Sequence, residues 1–232
     1  MSITQKNFRV ITYIDGYNLY FGMLYEAKKR GSPVEPDASY YRHMWLDIQG
    51  LAESLLKPNQ ELVQVKYFTS AISNGKGKQE RQNAYLDALR TREKLEIILG
   101  RFQPDSKECD HCGHTAYHPQ EKKTDVNIAT NLICDAIEDR YDTALLITGD
   151  SDLVPALQAV KRLRPEKRLV VVFPPNRRSM ELANSSGGPP IQIWETMLRQ
   201  NRLPDSIKRE GLPDITCPVK YSGVKGCTAR AV

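Results

Sequence analysis

The sequence predicts an α/β fold, a three-layer α/β/α domain on a mostly parallel sheet of five to six strands. Three observations predict it. Short β-branched runs alternate with segments of helical period along the 232 residues. Two of these runs, Leu145-Leu146-Ile147 and Leu169-Val170-Val171-Val172-Phe173, are apolar without interruption, as strands covered on both faces are. Two strand candidates stop abruptly at aspartate, one at Asp15-Gly16-Tyr17-Asn18 and the other at Thr148-Gly149-Asp150-Ser151-Asp152.

In chain order, Val10 to Ile14 reads as the first strand and Leu19 to Met23 as the start of a helix. Met44, Trp45, Ile48, Ala52 and Leu55 recur at helical spacing and predict one helix from Tyr41 to Leu56, closed before Pro58. Leu62 to Thr69 is a second strand, and Ser73-Asn74-Gly75-Lys76-Gly77-Lys78 a flexible basic loop at its end. A helix from Gln79 to about Arg92 turns Tyr85, Leu86 and Leu89 inward. Leu95 to Leu99 is a third strand, reaching Phe102. Residues 104–124 lack apolar periodicity and hold two cysteines and three of the four histidines, so they read as an insertion. Val126, Ala129, Leu132, Ile133, Ala136 and Ile137 form an i, i+3, i+4, i+7 stripe on the next helix, with Cys134 as a small core residue. Then come the strand before Asp150, a helix buried through Ala156, Leu157, Val160 and Leu163, and the strand 168–173. A short helix near Met180 to Ala183 and a last strand from Ile191 to Trp194 follow. Residues 1–203 are expected to form the domain and 204–232 a tail.

Composition restricts the function classes. With 40% hydrophobic and 26% charged residues the chain is of ordinary globular character, and it lacks an apolar run of the roughly 18 residues that a membrane span requires. No signal-peptide pattern opens it, so a cytoplasmic protein without membrane contact is expected. A net charge of +5 permits a polyanionic partner without demanding one. Five cysteines, an odd number, point away from a disulfide framework.

The chemistry is expected at the ends of the strands. In a parallel sheet all carboxyl ends share one rim, so Asp15, Asp150 and Asp152 should face one crevice, and Asp125, opening the helix after the insertion, could join them. Taken singly each has a plainer explanation: an Asp-Gly turn for Asp15, a helix start for Asn18, a cap or first-turn acid for the others. Together, four carboxylates would repel and raise one another's pKa values unless a cation sits among them. Mg²⁺ or Mn²⁺ suits such oxygen donors and could activate water for phosphodiester hydrolysis.

Cys109 and Cys112 have the C-x-x-C spacing of a zinc knuckle, which His114 and His118 could complete, with His111 ranked behind them. The alternatives are an irregular loop without metal and a redox pair. Lys76, Lys78, Lys122, Lys123, Arg177 and Arg178 fall in loops expected to border the rim and could hold the phosphates of RNA, while Tyr17 and Tyr20 could stack on bases. Ordinary surface charge and core tyrosines are the plainer reading.

The blocks Tyr-Ile-Asp15-Gly-Tyr-Asn18, Lys-Thr-Asp125-Val and Leu-Ile-Thr-Gly-Asp150-Ser-Asp152-Leu-Val-Pro, in this order across residues 8 to 195, resemble the NYN domain family of the PIN-like nuclease superfamily, in its LabA-like bacterial branch. The resemblance implies a Rossmann-like sheet and Mg²⁺- or Mn²⁺-dependent ribonuclease activity. It also implies that Asp15, Asp125, Asp150 and Asp152 bind metal and that Asn18 orients a ligand or water. The family often has Lys-Gly-Val-Asp where this chain has Lys122-Lys123-Thr124-Asp125, which puts the local turn in question. The competing readings are a catalytically weak RNA-binding or regulatory protein, a small-molecule phosphohydrolase, and a Toprim-type domain. Against the phosphohydrolase, the first strand lacks Asp-x-Asp; against Toprim, it ends in Asp rather than Glu. The oligomeric state is left open, a homodimer included.

Overall fold

The computed structural model describes residues 7–30, 40–72, 75–108 and 115–222. Its centre is a six-stranded sheet in the order β3-β2-β1-β6-β7-β8, in which every adjacent pair is parallel. The strands are β1 (Phe8–Asp15), β2 (Gln60–Thr69), β3 (Leu95–Leu99), β6 (Thr143–Ile147), β7 (Arg168–Phe173) and β8 (Ile191–Gln192), with β4 (Arg101–Glu108) and β5 (Thr115–Lys122) outside the sheet. From β1 the chain builds outward through β2 and β3, returns to place β6 on the other side of β1, and builds outward again. The order therefore reverses between β1 and β6. That switch point is where open α/β sheets leave a crevice at the carboxyl ends.

Alternation along the strands divides the core into two layers. Val10 and Ile14 of β1, Leu145 and Ile147 of β6, and Val170 and Val172 of β7 face one side. There they meet α1 (Gly16–Arg30), α2 (Ile48–Ser54), α3 (Lys76–Leu89) and α7 (Glu195–Gln200). Ile11, Tyr13, Ala144, Leu146, Leu169 and Val171 face the other, under α4 (Thr124–Ile137), α5 (Val154–Leu163) and α6 (Met180–Ser185). Period-two strands with both faces apolar require this sandwich, and the expected three-layer α/β/α class is the one observed.

Several elements differ from expectation. The helix expected over 41–56 is divided into a 3-10 turn, Tyr40–Met44, and α2. Asp47 N-caps α2 by accepting from the Gly50 N–H at 3.1 Å, and Leu46 makes an isolated antiparallel bridge to Arg202. A cap and a bridge in mid-segment cannot continue a helix, yet Met44, Trp45, Ile48, Ala52 and Leu55 are all buried as the spacing required. Helix α3 starts at Lys76, earlier than expected, with Gly75 at φ 90° as its N-cap. Cys134 is exposed, not a core residue. On the same helix Val126 and Ile137 are 66% and 54% exposed, and the buried positions are Thr124, Ile128, Leu132, Asp135 and Ala136. The face has turned because Asp135 is drawn inward by partners on β1 and β2.

The third strand stops at Leu99, and Gly100 separates it from β4. Strands β4 and β5 pair antiparallel from Arg101↔Lys122 to Glu108↔Thr115, with Pro104 opposite Pro119. Prolines are tolerated because each strand of a two-stranded ribbon is an edge. They also hide the ribbon in the sequence. The segment after Leu203 is likewise structured. Strands β9 (Ser206–Arg209) and β10 (Leu212–Thr216) form a hairpin, and Leu203, Ile215 and Tyr221 are buried in the first core layer. No helix of the described residues is long and apolar enough to cross a membrane.

Candidate active site at the switch point

The ladder sets Ile14 opposite Ile147, so the next residues, Asp15 and Thr148, leave neighbouring strands side by side. Thr148 Oγ1 donates to Asp15 Oδ2 at 3.0 Å and accepts from the Asp150 N–H at 3.1 Å. One buried hydroxyl thus joins both acidic strand ends. Asp15 Oδ1 accepts from the Asn18 N–H at 2.9 Å, which fixes the carboxylate against the first turn of α1. The Asn18 side chain crosses the crevice, its Oδ1 accepting from the Gly149 N–H at 2.9 Å. Asp150 caps the following turn, accepting from the Asp152 N–H at 3.0 Å. Of the acids after the strand it is therefore Asp150 that caps, and α5 follows with Pro155 in its first turn.

Asp15 is only 4% exposed, and burial is the largest cause of a pKa pushed up to about 6, with further upward pressure from Asp125 and Asp150. The Asn18 and Thr148 hydrogen bonds favour the carboxylate but do not cancel that cost. Asp125, in the first turn of α4, is half-buried. Its pKa is raised by burial, then by Asp150 and Asp152. Asp15 is thus within electrostatic reach of Asp125 and Asp150, and Asp125 within reach of Asp150 and Asp152. Among the described residues, no three His, Cys, Asp or Glu side chains converge closely enough to enclose an ion as they stand. The donor chemistry nonetheless fits a hard cation: every candidate ligand is a carboxylate oxygen, and two of the four resist ionisation without a compensating charge.

The loop after β7 closes the rim. A Cβ on Gly149 would lie 2.8 Å from Arg177 Cβ, so only glycine lets the Arg177 backbone pack there. Arg177 and Arg178 are exposed beside the Asp150 strand end. Lys76 and Lys78 occupy the first turn of α3 rather than a loop. Lys123 precedes α4 at φ 84°, and the family's glycine falls at this position in Lys-Gly-Val-Asp. Lys123 therefore takes the left-handed conformation that glycine adopts without strain. Lys123→Gly is expected to relieve about 0.5–1 kcal/mol of backbone strain and to raise the melting temperature by about 1–4 °C. A lower melting temperature would contradict this turn geometry. Lys122 ends β5.

Cys109, Cys112 and His114, with His111, lie outside the described residues. His118 is in β5, paired in register with Asp105. Sequence reasoning missed Thr148; its one signal was a hydroxyl ending an apolar strand directly before Gly-Asp. It also missed a tyrosine-lined pocket beside Asp15, assembled from segments distant in sequence.

The NYN domain model matches residues 9–187. Among curated proteins, 6-hydroxy-3-succinoylpyridine 3-monooxygenase HspA of Pseudomonas putida (strain DSM 28022 / S16) is 30% identical over 202 residues, 72% of this chain and 59% of that protein. The chain therefore spans less than two thirds of that relative's length. A crystal structure of a protein of unknown function, VPA0982 from Vibrio parahaemolyticus RIMD 2210633, aligns with a TM-score of 0.48 at 18% identity, covering 84% of this chain and 98% of that one. That likeness is too remote to bear on function. The match over residues 9–187 spans both acidic strand ends, Asp125 and the rim that joins them, and the chain belongs to the NYN domain family.

Proposed function

We propose that the chain is a Mg²⁺- or Mn²⁺-dependent ribonuclease that hydrolyses RNA phosphodiester bonds at the β1/β6 crevice. The observation carrying this reading is that Asp15 lies within electrostatic reach of Asp125 and Asp150, and Asp125 of Asp150 and Asp152, so that burial and mutual repulsion raise the pKa of Asp15 and Asp125. These four carboxylates would hold the cation. Once bound, it would supply Lewis-acid stabilisation and a water of lowered pKa. Asp15 is pinned by Thr148 and by the Asn18 N–H, so its carboxylate needs little reorganisation. Asn18 holds the Gly149 turn at a fixed distance from α1. Arg177, packed on that turn, would neutralise a phosphate, and Lys123 lies two residues before Asp125. An aromatic stripe at i, i+4 along α1, Tyr17, Phe21 and Tyr25, leads away from Asp15, with Phe21 and Tyr25 44% and 58% exposed. Such rings suit stacked bases.

The test is cleavage of end-labelled single-stranded RNA. Cleavage is expected in Mg²⁺ or Mn²⁺ and absent in EDTA, with a loss of at least about 100-fold for Asp150→Asn. No metal-dependent cleavage by the natural chain would leave the RNA-binding or regulatory reading. RNA affinity should fall steeply with salt, and Arg177→Gln with Arg178→Gln should reduce the slope of log K against log salt by about 1.4, or about 0.7 per phosphate contact on a single strand. An unchanged slope would remove both arginines from the RNA surface.

The relative's name supports a second reading, oxygenation of a hydroxypyridine acid, and the observation favouring it is the tyrosine-lined pocket. Oxygen uptake dependent on 6-hydroxy-3-succinoylpyridine and an electron donor would establish it.

A further inference from the structure

Beside the acidic rim, and separate from it, the carboxyl ends of β1 and β2 open into a pocket of about 100 Å³. Gly16 and Tyr17 line it directly after Asp15. Its walls are apolar: Tyr20 from α1, Tyr67 from β2, Tyr85 from α3 and Tyr221 from the C-terminal segment bring rings, and Leu19, Met23, Met44, Ile72 and Leu86 fill in between them. Tyr17 Oη donates to the Ser70 carbonyl at 3.0 Å and Tyr85 Oη to the Leu46 carbonyl at 2.9 Å. Those hydroxyls are anchored, so it is ring surface that the pocket presents. Gln82 holds the floor, donating to the Ser70 carbonyl at 2.9 Å and accepting from the Ile72 N–H at 2.7 Å.

The mouth is cationic. Lys78 and Arg81 line the pocket, and Arg81 hydrogen-bonds to Tyr221. Lys220, the residue before it, lies over the Tyr41 ring at 4.5 Å. Burial lowers its pKa first, and the nearby Arg81 and Lys78 lower it further. No carboxylate forms an ion pair with any of the three among the described residues. Glu80 shares the adjoining surface with Arg81 and Lys220 without pairing to either, so the three cations outnumber that one carboxylate, and with the tyrosines beneath them they describe a ligand that is flat, aromatic and anionic. A sealed cavity of about 150 Å³ accepts one benzene ring. This smaller pocket, open beside the 37% exposed Tyr20, suits a single six-membered ring rather than a fused pair. The charge at the mouth exceeds what one carboxylate needs and matches a phosphate.

We propose that this pocket binds a pyrimidine nucleotide, its base between the tyrosines and its phosphate on Lys78 and Arg81. The assignment rests on the RNA reading for the source of that nucleotide, and it places a pyrimidine next to the phosphate presented to Asp15.

The experiment is titration of the full chain in EDTA with UMP, uridine, AMP and 6-hydroxypyridine-3-carboxylate, by calorimetry and ligand-observed NMR. UMP should bind saturably, and uridine and AMP at least about tenfold more weakly. Arg81→Gln and Lys78→Gln should each weaken UMP by about tenfold. Arg81→Lys should recover part of the loss, and Tyr20→Leu should reduce binding with an unchanged melting curve. Asp150→Asn should bind UMP as the natural chain does. Equal binding of UMP and uridine, or insensitivity to Arg81 and Lys78, overturns the proposal, as does binding of the pyridine acid that UMP cannot displace. RNA cleavage without UMP binding overturns the pocket alone; UMP binding without cleavage overturns only the nuclease.

Discussion

Asp15→Asn is expected to stabilise the metal-free protein while abolishing RNA cleavage. The folded pKa of Asp15 is raised from 3.8 to about 6. Below about pH 4 the group is neutral in both the folded and the unfolded chain and imposes no penalty. As pH rises from about 4 to about 6 the unfolded chain releases its proton first, and stability falls. Above that window the buried carboxylate costs up to about 3 kcal/mol, at 1.36 kcal/mol for each pKa unit. Asparagine carries no such penalty. Its amide can donate to Thr148 Oγ1, which already accepts from the Asp150 N–H, at the cost of reversing one hydrogen bond. The net gain at pH 7.5 in EDTA is expected near 2 kcal/mol, or about 4–8 °C in melting temperature. Melting curves from pH 4 to 8 check it: the natural chain should lose stability across the window and the variant should not. Parallel curves would mean that the Asp15 carboxylate is not held as the structure places it. Loss of cleavage in the more stable variant would show that this buried acid serves catalysis at the expense of the fold.

Asp135→Ala is expected to have the largest effect on stability, about 3–5 kcal/mol of destabilisation. Asp135 lies beneath the sheet, 2% exposed, where its Oδ2 accepts from Lys66 Nζ at 2.6 Å and from Tyr13 Oη at 2.7 Å. Its Oδ1 accepts from Arg140 Nη1 at 2.9 Å. The same lysine donates to Asn131 Oδ1 at 2.9 Å. Removing the carboxylate strands the Lys66 ammonium, 3% exposed, in an apolar layer with only an amide oxygen as partner. Uncompensated buried charge is far more costly than the pair is stabilising. The melting temperature should fall by about 6–20 °C, and adding Lys66→Met to the variant should restore most of the loss. If the double variant is no more stable than Asp135→Ala, stranded charge is not the cause.

These two aspartates mark what was legible in the sequence. Asp15 could be placed from sequence because a parallel sheet sends all its carboxyl ends to one rim, and the apolar runs of β1, β6 and β7 specify parallel strands. Asp135 could not. On a helix otherwise read by its apolar stripe, an inward carboxylate becomes intelligible only when Tyr13 from β1 and Lys66 from β2 arrive to meet it, and no local pattern announces partners 122 and 69 residues away. The paired prolines of the β4/β5 ribbon erased the alternation that identifies strands. The β9/β10 hairpin is short and mostly exposed, with Ile215 its buried residue, too little for a periodicity to show. Thr148 escaped notice because a single hydroxyl acquires its role from two neighbours on different strands. The tyrosine pocket drew on α1, β2, α3 and the C-terminal segment, whose meeting the strand order alone does not specify.

The nuclease reading requires Asp15, Asp125, Asp150 and Asp152 to hold a divalent cation together. Anomalous diffraction from crystals soaked in MnCl₂ tests it most directly. A Mn²⁺ peak is expected at the β1/β6 switch point, coordinated by oxygens of these carboxylates directly or through water and absent in Asp150→Asn crystals. At saturating Mn²⁺, an empty rim with the four side chains pointing apart would contradict it.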